Sequence, residues 1–182
     1  MRPDLSRFPN LTSPHDVMWG STLMRFRFDP DHPDEAAISN VRCAAFVADR
    51  VVVIDTEEFG LSAFPGGTLE PGETWQEALL RELREETGTR PGDVRVLGRL
   101  LFHSGASEPF RRDLPFPDFQ QVVAMAEVEL VGEPTNPDGG EHVRAVSLLE
   151  IDDAVGRLRP EHPFEAKLLE YVRELRSGRF DA

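Results

Sequence analysis

The segment from Pro65 to Thr89 constrains this 182-residue chain more than any other. Pro65-Gly66-Gly67 and Pro71-Gly72 punctuate the chain and predict a loop. A helix must start abruptly behind it. Thr74 is a good N-cap, and Glu77 three residues on completes a capping box. Leu79, Leu80 and Leu83 give that helix an apolar stripe, and Gly88 is placed to end it in a left-handed conformation. Glu82, Glu85 and Glu86 stand at i, i+3 and i+4, within about 100° of one helix face. Like charges so spaced repel by roughly 0.2–0.5 kcal/mol per pair, so local stability gives no reason for them. A hard divalent cation does give one. Mg²⁺ takes carboxylate oxygens together with waters and substrate phosphates. A glycine-rich loop would let backbone groups approach the metal closely. From the residues alone, a solvated acidic helix face stays open as the other reading.

Around this segment the chain reads as mostly strand, then the helix, more strand, then helices. Residues 1–16 carry three prolines and no periodicity, which predicts an extended or loose arm. Val17 to Phe28 can form one or two strands, and Asp29 to Asp34 is a turn cluster that separates the arm from the rest of the chain. The division expected is an N-terminal arm over 1–34, with room for an extra strand, and a main domain over 35–182. Val41 to Ala48 and Val51 to Asp55 read as a hairpin, with a short strand between Glu58 and Phe64. Pro91-Gly92-Asp93 is expected to turn. Val94–Phe102, Phe119–Val131 and His142–Leu149 read as strands, and Ile151–Leu158 and Phe164–Arg176 as helices. This order predicts a mixed sheet with helices packed on it.

Composition narrows the function classes. Lys plus Arg total 20 against 33 Asp plus Glu, a formal charge of -13. That disfavours nucleic acid and anionic membranes as partners, because both reward surplus positive charge. A single cysteine forms no intramolecular disulfide. No apolar run approaches the ~20 residues that span a bilayer. The first 30 residues lack a basic start followed by an apolar stretch, so no signal peptide is expected and the setting expected is cytoplasmic.

The segment Gly67 to Thr89 resembles the Nudix box, Gly-x5-Glu-x7-Arg-Glu-aliphatic-x-Glu-Glu-x-Gly-aliphatic. Gly67, Glu73, Arg81, Glu82, Leu83, Glu85, Glu86 and Gly88 match in register. At ordinary residue frequencies of roughly 7%, seven fixed identities arise by chance on the order of 10⁻⁸ per start. Thr89 departs from the pattern, at a position that packs rather than reacts. The resemblance covers 23 residues. It implies a Nudix-type α/β/α sandwich with a central mixed sheet. It also implies metal-dependent hydrolysis of a nucleoside diphosphate linked to another moiety: a nucleoside triphosphate, ADP-ribose, a dinucleotide or a nucleotide sugar. Mg²⁺ or Mn²⁺ is the implied cofactor. Carried over residue by residue, Glu82, Glu85 and Glu86 correspond to the metal-binding carboxylates, and Gly66 to a backbone carbonyl ligand. Arg81 corresponds to the residue that orients a box glutamate, and Glu73 to a structural anchor. Glu82 is the choice for general base within the box. Glu141 is the choice if a later loop supplies it, with Glu133 and Asp138 behind it.

Substrate choice should lie outside the box. The 104–117 loop carries Phe110, Arg111, Arg112 and Phe116. Arginine binds phosphate in a forked geometry, and an aromatic ring can stack on a base. Arg111, Arg112 and Phe116 are therefore the candidate substrate-binding residues. His103 reads as hydrogen-bonded structure at a strand end, and Cys43 as a small buried hydrophobe. Trp19 can pack on its own domain or on a partner subunit. The arm before residue 35 can swap between subunits into a homodimer or lie along its own sheet edge. Two other readings stand beside the hydrolase. A nucleotide-sensing module without turnover would be expected to lose box glutamates. A diphosphate isomerase would want a reactive cysteine near the cleft.

Overall fold

The computed structural model describes residues 4–136 and 142–178. Its strands are β1 (His15–Trp19), β2 (Thr22–Asp29), β3 (Ile38–Val47), β4 (Arg50–Thr56), β5 (Gly60–Ser62), β6 (Thr89–Ser104), β7 (Asp118–Leu130) and β8 (Val143–Leu149). Its helices are α1 (Pro9–Thr12), α2 (Trp75–Thr87), α3 (Ile151–Leu158) and α4 (Pro163–Ser177). The strands form one sheet in the order β1-β2-β6-β7-β3-β4-β5, with β8 also paired to β4. Every pairing is antiparallel except β3 with β7, so the sheet is mixed, as expected.

The central strands are buried on both faces, and their side chains alternate between two cores. Val41, Cys43, Ala45, Val122 and Ala124 face α2. Ala44, Phe46, Val123 and Met125 face α3 and α4. A period of two splits one apolar strand between two helix layers, which is what an α/β/α sandwich requires.

β4 pairs with β3 only through Phe46↔Val51 and Val47↔Arg50, then splays off to pair with β5 and β8. The glycine-rich loop takes the β3 edge that β4 leaves open. Cys43 N–H donates to Pro65 O at 3.0 Å, Val41 N–H to Gly67 O at 3.0 Å, and Leu69 N–H to Ser39 O at 2.9 Å. These ladder-like bonds fix the loop that leads into α2.

Three sequence expectations are corrected. Residues 5–12 are not loose: they form a 3₁₀ turn and α1, and Phe8 and Leu11 are buried, with Phe8 edge-on to Tyr171 at 5.5 Å. Hydrophobic anchoring, not periodicity, orders this piece. Pro91-Gly92-Asp93 does not turn but lies within β6, where the register against β7 shifts between Pro91 and Val94. A bulge accommodates a proline that a regular ladder would reject. Leu80 does not join the α2 stripe and is half exposed. At 100° per residue the buried face runs through Trp75, Ala78, Leu79 and Leu83 instead. Among the described residues, no helix is long and apolar enough to cross a membrane.

Candidate active site

α2 starts and stops where its residues dictate. Thr74 Oγ1 accepts from Glu77 N–H at 3.3 Å, and Thr74 N–H donates to Glu77 Oε2 at 2.8 Å, so the capping box is complete. Gly88 ends the helix at φ 64°, and a side chain there would meet Gly132 O at 2.1 Å. Val131 and Gly132 N–H groups donate to Gly88 O, and Thr135 N–H donates to Glu85 O. The chain after β7 thus covers the end of this helix. Thr89, the one departure from the box pattern, is buried with its hydroxyl 2.7 Å from that of Thr87. The pair satisfies two polar atoms where an aliphatic side chain would have none to satisfy.

The acidic face is not a solvated face. Glu82 is 9% exposed and Glu86 6%, both turned toward the loop on the β3 edge. Gly66 N–H donates to Glu86 Oε2 at 2.8 Å. A Cβ on Gly67 would fall 2.2 Å from Glu82 Oε1, so this position admits only glycine while Glu82 stays in place. Two neighbouring loop residues therefore meet two buried carboxylates from successive turns of α2.

Arg81 ties the cluster together. Its guanidinium holds Glu73 through two bonds of 2.9 Å, and donates to Glu82 Oε1 at 2.8 Å, Glu85 Oε2 at 3.3 Å and Thr68 O at 3.1 Å. Glu73 also accepts from Glu70 N–H at 2.8 Å, so it anchors the loop, as expected. The Arg81 hydrogen bonds hold the Glu73 carboxyl below the usual range. Burial pushes Glu82 the other way, above the usual range, against the pull of Arg81 and with the repulsion of Glu85 and Glu73. The Arg81 guanidinium is raised, chiefly by its bonds to Glu73.

The donor set suits a hard divalent ion: several carboxylate oxygens beside a close backbone. Among the described residues no three Asp, Glu, His or Cys side chains are gathered as a finished chelate. Arg81 and Gly66 N–H engage these carboxylates instead, which spares their mutual repulsion.

A cleft of ≈ 380 Å³ opens beside the box loop. Ser39, Asn40 and Thr68 lie on one side, with Asn40 Nδ2 donating to Thr68 Oγ1 at 2.8 Å. The 104–117 loop and the β1–β2 turn form other walls. Of the candidate substrate residues, Phe116 lines this cleft. Arg111 is tied down: it donates to Leu69 O at 2.7 Å and pairs with Asp113 at 2.7 Å, so it joins its loop to the box loop. Arg112 is exposed. Glu141 and Asp138 lie outside the described residues, and Glu133 is exposed beside the end of α2. His103 pairs with Asp118 at 2.8 Å on the surface. Cys43 is fully buried under α2, and burial pushes its thiol up.

Sequence reasoning missed the N-terminal hairpin as a wall of this cleft. Trp19, Thr22 and Met24 all line it. Their signal lies in pairing, not in spacing: Met24 sits opposite Ser104, where the 104–117 loop begins.

The NUDIX domain family matches residues 38–172 of the chain. An RNA pyrophosphohydrolase of Erythrobacter litoralis (strain HTCC2594) is 38% identical over 78 residues, 43% of this chain and 42% of that protein. The match therefore spans less than half of that relative. A crystal structure of an ADP compounds hydrolase superposes with a TM-score of 0.56 at 17% identity, covering 93% of this chain and 97% of that one. A Bacillus subtilis pyrophosphohydrolase gives 0.54 at 23% identity, covering 75% and 77%. At these identities the superpositions speak for the fold.

Proposed function

The chain belongs to the Nudix family, and from that premise we propose that it is a metal-dependent hydrolase. Its substrate is a nucleoside diphosphate linked to another moiety, cleaved at the diphosphate bond. The observation that carries this reading is the contact of the Gly66–Gly67 loop with Glu82 and Glu86, knotted to Glu85 and Glu73 through Arg81. A solvated helix face has no use for buried carboxylates against glycine backbone.

Glu82, Glu85, Glu86 and the Gly66 carbonyl would hold Mg²⁺ or Mn²⁺. A metal so held supplies a more acidic water and neutralises phosphoryl oxygens. Arg81 keeps Glu82 and Glu85 aimed while Glu73 fixes Arg81 from behind. Glu82 is the base within the box, and Glu141 is the base if a later loop supplies one. Arg111 and Arg112 meet substrate phosphates at the loop, and Phe116 offers an apolar wall.

The test is a hydrolysis screen with Mg²⁺ and, separately, Mn²⁺. The panel holds nucleoside triphosphates, dinucleotides, ADP-ribose, nucleotide sugars and a 5′-triphosphorylated RNA. The expected result is metal-dependent release of a phosphorylated product from one class. Glu85→Gln, which removes a partly exposed carboxylate, should cut turnover at least about 100-fold at unchanged melting temperature. Nucleotide binding without turnover would move the protein to the sensing reading. The buried Cys43 leaves the isomerase reading without a reactive cysteine at the cleft.

A further inference from the structure

Among the described residues three carboxylates are buried: Glu82, Glu86 and Glu165. A buried carboxylate is costly unless hydrogen bonds satisfy it. Glu82 and Glu86 lie on α2, in the candidate metal site. Glu165 lies on α4, in the opposite helix layer and outside the box. It stands at the third position of α4, where a glutamate ordinarily bonds back to the N-cap backbone N–H. Here it does not, and His162 N–H donates instead to Leu158 O at 2.7 Å. Glu165 reaches across to the chain that leads into the box loop.

Its bonds there converge on one atom. Glu165 Oε1 accepts from Ala63 N–H at 2.5 Å and from Ser62 Oγ at 2.7 Å. Ser62 Oγ accepts in turn from Phe64 N–H at 3.0 Å. The other carboxylate oxygen faces Arg42 Nη1 at 4.0 Å, on the strand whose edge the loop takes. Pro65 follows, with no N–H and a fixed φ. The next N–H, on Gly66, donates to Glu86. The chain from 62 to 66 is therefore gripped by a carboxylate of α4 at one end and a carboxylate of α2 at the other. Little slack lies between the grips. A Cβ on Gly66 would fall 2.1 Å from Val41 O, so the backbone already rests against β3. Phe64 is buried as well, but apolar packing is non-directional. The hydrogen bonds orient the peptide planes.

We propose that Glu165 is a positioning residue for the box loop. Through Ala63 and Ser62 it sets the angle at which the chain delivers the Gly66 N–H to Glu86 and the Gly66 carbonyl to the metal site. It touches neither ion nor substrate. It acts by keeping a backbone ligand from one layer matched to carboxylates from the other. The brace needs an acceptor at Oε1 rather than a charge, because both donors to that atom are neutral. An amide oxygen in the same place would serve. For its consequence on metal binding, the inference rests on the reading of Glu82, Glu85, Glu86 and Gly66 as the metal site.

Two readouts separate the brace from the hydrolase. Hydrogen exchange of the Gly66 amide is followed by NMR on the full chain without metal. Mn²⁺ binding to the same chain, without nucleotide, is followed by calorimetry. Glu165→Ala should speed Gly66 exchange about tenfold, the order expected for one lost hydrogen bond. It should weaken Mn²⁺ by about tenfold or more, as loss of a group that orients a metal ligand does. Glu165→Gln should restore most of both. Leu175→Ala is the control. Leu175 is also buried on α4 but lies about 15 Å further along the helix, so its loss should lower the melting temperature and leave both readouts near native. If Glu165→Ala does not fold, Ser62→Ala, which cuts the Phe64 branch alone, should move both readouts the same way by a smaller factor, and no movement would overturn the brace. If Glu165→Ala behaves as Leu175→Ala does, or Glu165→Gln fails to restore Gly66 protection, the brace is overturned even if a diphosphate is hydrolysed. If Gly66 loosens in Glu165→Ala and recovers in Glu165→Gln but the native chain binds no Mn²⁺, the brace stands and the metal-dependent reading falls.

Discussion

Residues 65–89 and the rim formed by Trp19 and Phe110 meet at one cleft but are held by different kinds of interaction. In the first region nearly every polar group has a named partner. Arg81 alone makes five hydrogen bonds to four residues. In the second, backbone bonds fix the supports, and the side chains of Trp19 and Phe110 stand largely in water beside each other. Chemistry at a phosphorus centre needs charges held to within fractions of an ångström. The exposed rim is under no such constraint. The box should therefore be brittle to substitution, and the rim forgiving in stability.

Arg81→Ala should do the most damage. It strips Glu73 of its fork and leaves Glu82 buried beside two other carboxylates with no cation. Removing one partner of a buried pair costs about 3–5 kcal/mol, and the partial exposure of Arg81 points to the lower end. In a chain of this size that lowers the melting temperature by about 6–12 °C, and turnover should fall below detection. Arg81→Lys should not rescue it, since a point charge cannot span Glu73 and Glu82 together. Calorimetry and a turnover assay check both. A stable, active Arg81→Ala would show that the knot is ornamental. Acid probes the same knot. Glu73 is held below its ordinary value, so its contribution is full above the unfolded pKa of about 4.3 and fades as pH falls through the lowered folded value. The Glu73 contribution to acid sensitivity should vanish in Arg81→Ala.

Gly67→Ala comes next. The added methyl falls on Glu82 Oε1, and Arg81 prevents that carboxylate from simply swinging away. A displacement near 1 Å at the reacting groups costs about 100-fold in rate. Turnover should drop by that order, with a melting temperature shifted by only a few degrees. Equal loss in both would mean that the loop is braced for stability rather than for chemistry.

The 104–117 loop tests where the two regions join. Arg111 reaches Leu69 O, so Arg111→Ala should loosen the loop and raise KM. Arg112 is free of such duties, so Arg112→Ala should raise KM only through lost phosphate attraction, by a factor of a few. If both variants keep the native KM, this loop does not meet the substrate.

How far the sequence could be read follows the same divide. The box was legible because its logic is local: Thr74 caps Glu77, Gly88 stops the helix, and three glutamates share a face. The split of Val41, Cys43 and Ala45 from Ala44 and Phe46 follows from a period of two. Leu80 misled because three leucines in five positions cannot all face the sheet. Phe8 and Leu11 were illegible because their order comes from Tyr171 and its neighbours, about 160 residues away. Trp19 was illegible as a cleft residue for the same reason. Only the pairing of β2 with β6 brings it to the 104–117 loop. Arg111 was found as a candidate, but its tie to Leu69 was not, because a backbone acceptor leaves no mark in the sequence.

The smallest effect belongs to Thr74→Ala, and it separates helix stability from chemistry. Thr74 accepts from Glu77 N–H and sits on the exposed side of the capping box, away from Glu82 and Glu86. Losing an N-cap costs about 1 kcal/mol, or about 2–4 °C in melting temperature here. The rest of α2 is pinned by Trp75, Leu79 and Leu83 against the sheet and by Gly66 N–H on Glu86, so the first turn can fray without moving the carboxylates. Thermal denaturation should show the shift while kcat and KM stay native. A matching fall in kcat would show that order in the first turn of α2 is transmitted to Glu82, and that the box is a single mechanical unit rather than a knot built around Arg81.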